Sequence, residues 1–276
     1  QAQKVMSQVT IYFGVAPAIA PIVGGFLLGH ASWHGIFWFL ALMGVLIGLA
    51  NWKMLPETLH PSAKQPFSLR HLMAGYKELG LSPHFLLLCV ASGIPFNGMF
   101  LYVLSAPEFL GTHLQLQPSE FFWFFIATIS GIMSGAWVSG RLAGKIAPRH
   151  QIRHGFVIML LVAVVNVVLN FLLPAHVSWA LLPIAIFSFG WSLMVPVVTL
   201  LVLDLFPERR GMASSLQAAI GSAANGLVAG VLAPLVMHST RGLALTSLSL
   251  MLVGLGAWLL ILKRWPDTGR IKPKLA

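Results

Sequence analysis

The chain has 276 residues, 57% of them hydrophobic and only 9% charged, with a net charge of +10. So apolar a composition excludes a soluble domain of this length and specifies an all-α polytopic membrane protein. The apolar runs are too long for strands and do not alternate, which rules against a β-barrel.

Eight segments are long and apolar enough to be spans: about 9–29, 34–55, 84–109, 119–141, 153–173, 178–203, 211–236 and 243–262. The sequence opens on Gln1 and not on Met, so a fragment is expected. The first span holds Gly14-Val-Ala-Pro-Ala-Ile-Ala-Pro-Ile-Val-Gly-Gly25. Its two prolines each remove a helix hydrogen bond and are expected to kink the segment. At about 100° per residue, Gly14, Pro17, Pro21, Gly24 and Gly25 form one narrow stripe. Such a bare face suits close approach to a neighbouring helix. Ordinary membrane packing gives a similar pattern, because Gly and Pro are common in spans.

Residues 1–55 thus carry two spans, and 56–83 form a linker punctuated by Pro56, Pro61, Pro66 and Pro83. Within it, Ser68 to Leu79 is expected as an amphipathic surface helix with Leu69, Leu72 and Tyr76 on one face. Residues 84–262 carry six spans, and 263–276 form a basic tail. The lone Cys89 allows no intrachain disulfide and reads as a small packed residue.

In the third span, Gly93-Ile-Pro95-Phe96-Asn97-Gly98 and then Pro107 predict an irregular helix. Irregular backbone is tolerated where it lines a cavity or packs in protein. Phe96 and Phe100 offer aromatic walls there, and Asn97 offers a donor and an acceptor. Glu108 shares a helical face with Gly93, Asn97 and Phe100, which makes it a candidate for proton coupling. In the fifth span Asn166 and Asn170, one turn apart, read as interhelical bonds. In the sixth, Ser188, Trp191, Ser192 and Thr199 cluster, and Asp204 at its end is expected to pair structurally with Arg209 or Arg210. In the seventh, Ser214, Gln217, Gly221, Ala224 and Asn225 share a face that either lines a cavity or bonds a neighbour. The substrate-cavity candidates are therefore Phe96, Asn97, Phe100, Trp191, Gln217 and Asn225. An apolar, aromatic cavity with a few neutral polar groups suits small amphiphilic or cationic molecules.

Charge position fixes the topology. Sixteen of the seventeen Lys and Arg residues fall on one side of the eight spans, and only Arg241 falls on the other. The positive-inside rule makes that side cytoplasmic, with both termini of the chain there. The basic surplus is therefore a matter of topology and anionic lipid, not a nucleic-acid footprint. His30 and His34 straddle a turn with no third ligand, so no metal is expected. No phosphate-binding loop is present and no catalytic cluster lies at membrane depth, so neither a cofactor nor an enzyme is expected.

Several segments resemble the major facilitator superfamily, and within it the bicyclomycin-resistance (Bcr/CflA) type of drug exporter. Ala20-Pro21-Ile-Val-Gly24-Gly25 is similar to the antiporter motif of helix five, with Ala16 and Ala20 where glycines are usual. Ser32-Trp33-His34 and Leu55-Pro56-Glu57-Thr58 resemble the segments that enter and end helix six. Ala91-Ser92-Gly93 through Leu104-Ser105-Ala106 resembles helix seven. Asp204-Leu-Phe206-Pro207 with Gly211-Met-Ala-Ser214-Ser215 resembles the junction of helices ten and eleven. After the fourth span, Gly144 stands where an Asp is usual.

The resemblance implies a partial major facilitator fold: the last two helices of the N-terminal half, a complete six-helix C-terminal half, and helices one to four outside this chain. It further implies proton antiport of drug-like substrates across a bacterial inner membrane, with the coupling acid in the first helix of the family. A metabolite transporter of the same fold and a non-transporting fragment are the alternatives.

Overall fold

The computed structural model describes residues 2–30, 32–57, 68–117 and 120–270, without the side chains of residues 13, 15–18, 21, 22, 25, 28 and 29. The helices are α1 (Ala2–His30), α2 (Trp33–Met54), α3 (Leu69–Gly80), α4 (Pro83–Leu104), α5 (Phe122–Leu142), α6 (Pro148–Leu172), α7 (Val177–Leu205), α8 (Arg210–Leu227), α9 (Ala233–Val236) and α10 (Thr240–Arg264). Among the described residues, seven helical stretches are long and apolar enough to cross a membrane: α2, α4, α5, α6, α7, α10 and the run Pro207–Val236. The remaining long helix, α1, has 29 residues, roughly 43 Å at 1.5 Å per residue.

Local chemistry sets several helix starts. Ser82 caps α4 by accepting from the Phe85 N–H at 3.4 Å, with Pro83 in the first turn. Ser239 caps α10 in the same way, accepting from the Gly242 N–H at 3.2 Å. The α1 backbone stays helical through Pro17 and Pro21, so the expected kink does not interrupt the helix. The placement of the Pro17, Pro21 and Gly25 side-chain positions lies outside the described residues, as does the linker over 58–67.

The expected irregularity of the third span falls later than its glycines suggest. Helix α4 runs unbroken through Pro95, whose ring is seated on Gly254 of α10; a Cβ at Gly254 would collide with that ring. The break comes at Ser105, where α4 gives way to a π-helical turn, Pro107–His113.

Glycines set the closest helix contacts. Helix α5 makes its most extensive contact with α7. There a Cβ at Gly131 or Gly135 would overlap the carbonyl oxygens of Ala185 or Phe189. On the other side of α7, a Cβ at Gly155 of α6 would lie 2.7 Å from the Gly190 carbonyl oxygen. Small residues four apart let backbones approach this closely, and without them the van der Waals packing that holds membrane helices is lost. The buried core lies in the unit α4 to α10, around Phe85, Leu101, Phe124, Phe156, Met194 and Trp258. By contrast no residue of α2 is buried, and its principal contact is with α1.

Helix α3 docks on protein and does not simply lie on a surface. Its inward face is Gly75 and Leu79, with Tyr76 Oη 2.8 Å from Ser215 Oγ of α8 and Glu78 paired with Arg209. Leu69, expected on the apolar face, is exposed. The reason is the notch at Gly75, which receives the Met212 side chain and turns the helix toward α8.

The basic loops gather at one end of the bundle. There the Arg149 N–H donates to the Gly269 carbonyl at 3.0 Å, and His84 stacks on Trp265. At the opposite end His113 Nε2 lies 2.9 Å from the Met237 carbonyl, and Arg241 Nε donates to the Asn170 carbonyl at 3.2 Å.

Candidate functional site

A cavity of about 300 Å³ opens between α4, α7 and α8, lined in part by Ser92, Phe96, Trp191, Gln217, Gly221 and Asn225. Its aromatic side is built by contact. Phe96 and Trp191 have ring centroids 4.8 Å apart, and Phe100 stacks on Phe96 at 5.3 Å. The indole orientation is fixed, because Trp191 Nε1 donates to the Ser92 carbonyl at 2.9 Å. A buried indole N–H needs such a partner.

The polar side is neutral. Ser92 Oγ donates to the Cys89 carbonyl at 3.2 Å and accepts from Gln217 Nε2 at 3.3 Å. The Gln217 acceptor oxygen has no hydrogen bond among the described residues. Asn225 has no side-chain hydrogen bond among the described residues and lines the same wall. Among the described residues no charged side chain lines the cavity. A space with an aromatic shelf and uncharged donors and acceptors can hold a flat or amphiphilic molecule and orient it without an ion pair.

Four of the six sequence candidates, Phe96, Trp191, Gln217 and Asn225, line this cavity. Phe100 borders it only through its stack on Phe96. Asn97 does not line it and is fully buried, with Nδ2 bonded to the Gly93 carbonyl at 3.2 Å and Oδ1 unpartnered. The cause is helical rotation: Asn97 lies about 100° around α4 from Phe96. Asn166 and Tyr102 meet at 2.8 Å and join α6 to α4. Ser188 Oγ donates to the Ile184 carbonyl of its own helix, whereas Ser192 Oγ lies between the Phe189 carbonyl of its own helix at 3.2 Å and the Gly131 carbonyl of α5 at 3.4 Å.

The face of α1 divides. Gly14 is buried on α5, where a Cβ would sit 3.3 Å from Ile132 Cγ2. Gly24 meets nothing within 4 Å and lines an apolar groove between α1 and α2 with Ile36, Phe39 and Met43. The α1–α5 contact is reinforced by a buried polar cluster that composition and spacing do not reveal. Gln3 Nε2 donates to the Ser139 carbonyl at 3.1 Å and to Gln151 Oε1 at 2.9 Å. Gln151 Nε2 in turn donates to Ser139 Oγ at 2.7 Å and to the Leu193 carbonyl at 2.8 Å. One glutamine side chain thus ties α1, α5, α6 and α7 together.

Glu108 does not continue the Gly93–Phe100 face, because the break at Ser105 intervenes; its carboxylate lies 3.6 Å from His238 Nδ1. Asp204 pairs with Arg210 at 2.8 Å, whereas Arg209 reaches across to Glu78. The Asp204 and Arg210 side chains are 61% and 59% exposed, and pairs so exposed contribute about 0–1 kcal/mol. Asp204→Asn is accordingly expected to leave the thermal unfolding midpoint in detergent nearly unchanged. A large drop would mean that Asp204 has a second role.

A helical bundle with seven stretches long and apolar enough to cross a membrane among the described residues defines a polytopic membrane protein. The chain belongs to the Major Facilitator Superfamily, whose family model matches residues 1–229. It is similar to a bicyclomycin resistance protein homolog of Haemophilus influenzae, 24% identical over 89% of this chain and 62% of that protein. It is also similar to multidrug resistance protein D of Escherichia coli, 26% identical over 93% of this chain and 64% of that protein. A third relative is the multidrug transporter MdfA of Yersinia pestis, 23% identical over 92% of this chain and 62% of that protein. The chain therefore spans under two thirds of the length of each of these relatives.

Proposed function

We propose that this chain supplies the last eight helices of a twelve-helix secondary exporter that expels small amphiphilic or cationic drug-like molecules by proton antiport. The observation that carries this reading is the cavity, with Trp191 and Phe96 as its aromatic shelf and Gln217 and Asn225 as neutral polar contacts. The multidrug names of the relatives support the substrate class. In this reading α1 and α2 belong to one half of the transporter and α4 to α10 to the other, with residues 56–83 joining them. The bilayer is a bacterial inner membrane, crossed eight times, with the basic end of the bundle and both termini of the chain in the cytoplasm.

Alternating access rocks one half against the other around a site near the midplane. The α1–α5 contact is then a moving interface, close-packed at Gly14 and clasped by Gln3 and Gln151 at the basic end. Proton coupling requires a titratable group exposed in turn to each side. No carboxylate among the described residues lines the cavity, and Glu108 beside His238 is this chain's own candidate for the role.

The test is drug efflux by the full-length protein in bacteria stripped of their own exporters. Efflux should stop when a protonophore collapses the proton gradient, and export that persists without the gradient would sink the antiport reading. Gly14→Leu should cost about fivefold or more in export while sparing insertion, since a Cβ there already lies 3.3 Å from Ile132 Cγ2 and overpacking costs about 1–3 kcal/mol. Unchanged export by that variant would remove Gly14 from the moving interface.

A further inference from the structure

A second cavity, of about 240 Å³, lies between α1 and α5 at the basic end of the bundle, lined in part by Lys4, Ser7, Gln8, Trp137, Gly140 and Arg141. Its charge is uncompensated. Arg209, Arg210 and Arg270 each pair with a carboxylate, whereas Lys4 and Arg141 pair with none among the described residues. The Arg141 guanidinium lies 4.5 Å from the centre of the Trp137 ring. That contact holds the cation at the mouth of the groove without neutralising it. Among the described residues no acidic residue lines the groove.

A second, independent feature points to a ligand. Ser7 is 2% exposed, and its Oγ has no hydrogen-bond partner. It is pressed against Gly140, where a Cβ would sit 3.3 Å from the Ser7 Cβ. Buried hydroxyls are ordinarily bonded, and one left without a partner beside two free cations marks a missing acceptor. Two cations and a hydroxyl donor together match a phosphate group.

The surroundings select the source of that phosphate. Along α1 and α5 the groove turns apolar away from the basic end, at Ile11 and Ala136. Trp137 is 53% exposed on the same helix face as Arg141, the arrangement of an aromatic residue at a membrane interface. A headgroup at the charged mouth with an acyl chain along the apolar part fits this gradient, and a free anion uses only the mouth.

We propose that this groove binds the headgroup of an anionic phospholipid, with Lys4 and Arg141 pairing with the phosphate and Ser7 Oγ donating to it. Because the groove is walled by both α1 and α5, the bound lipid stabilises their contact, by linkage. This inference requires only that the bundle sits in a membrane, so its failure leaves the efflux reading intact.

The experiment is native mass spectrometry of the purified full-length protein with phosphatidylglycerol or phosphatidylcholine of the same chain length, paired with thermal unfolding in each lipid. The wild-type protein should retain phosphatidylglycerol preferentially and unfold at higher temperature in its presence. The double variant Lys4→Gln, Arg141→Gln should bind it roughly 30-fold more weakly, since each basic residue near an anionic lipid surface contributes about fivefold. The conservative double variant Lys4→Arg, Arg141→Lys should keep both the retention and the thermal shift, which separates lost binding from lost folding. Equal retention of the two lipids by the wild-type protein would overturn the proposal. So would undiminished phosphatidylglycerol binding by the Gln variant in a folded sample. Displacement of the lipid by inorganic phosphate would make this a free-anion site and contradict the lipid assignment.

Discussion

Gly135→Leu should prevent the helical unit from folding. The Cβ of any residue at this position would overlap the Phe189 carbonyl oxygen and Ser192 Oγ. The carbonyl belongs to the α7 backbone and cannot rotate away as a side chain can. Helix α5 would have to lift off α7 along the most extensive helix contact among the described residues, and the Ser192 Oγ to Gly131 carbonyl approach at 3.4 Å would go with it. Overpacking a core costs about 1–3 kcal/mol where neighbours can give, and a rigid backbone contact takes the cost to the upper end or beyond. That is a large fraction of a marginal stability of about 5–15 kcal/mol. Gly24→Leu provides the contrast, since nothing lies within 4 Å of a Cβ there. Size-exclusion chromatography and circular dichroism in detergent should show an aggregated or poorly helical Gly135→Leu protein beside a monodisperse Gly24→Leu protein. A Gly135→Leu protein that melts with the wild type would refute the packing derived for α5 and α7.

On the proposed role of the cavity, Trp191→Ala should produce the largest loss of drug recognition. The indole supplies the face that meets Phe96 at 4.8 Å, and its N–H fixes the Ser92 carbonyl at 2.9 Å. Removing it opens the shelf, frees that carbonyl and takes away the strongest cation–π surface in the cavity, worth about 0.5–2 kcal/mol for a bound cation. Affinity for the cation should fall by about fivefold or more, because Trp is enriched among the anchors that cost more than about 1 kcal/mol when truncated. Trp191→Phe should recover part of the loss, since it restores the ring without the N–H. Gln217→Ala should weaken binding of an aromatic cation less than Trp191→Ala, since it removes one neutral polar contact and leaves the aromatic shelf. Binding of tetraphenylphosphonium to the purified variants, measured by equilibrium dialysis, gives all three values on one scale. Equal affinities for Trp191→Ala and the wild-type protein would remove the aromatic shelf from the binding site.

The helices were legible from the chain because each is an apolar run bounded by proline, serine or basic residues. The wall of α8 was legible for a similar reason: Gln217, Gly221 and Asn225 recur every four residues and must share a face. Asn97 was misplaced because side-chain type alone does not say which of two adjacent faces of α4 turns to the cavity. Gly131-x-x-x-Gly135 carries the same spacing signal as the Gly14–Gly25 stripe, and spacing cannot rank them; only the position of the Ala185 and Phe189 carbonyls does. Gln151 was illegible, since its partners Gln3, Ser139 and Leu193 are remote in sequence and converge only in the fold. The orphaned hydroxyl of Ser7 belongs to the same category.

The most direct test of drug binding in this cavity uses a single engineered cysteine. Ala218 lines the cavity and is exposed, and the chain's only native cysteine, Cys89, can be replaced by alanine. In the Cys89→Ala, Ala218→Cys protein, a membrane-permeant maleimide should label position 218, and saturating tetraphenylphosphonium should slow that labelling markedly. Labelling at the same rate with and without the cation, in a variant that still exports it, would contradict the assignment of the cavity as the substrate site.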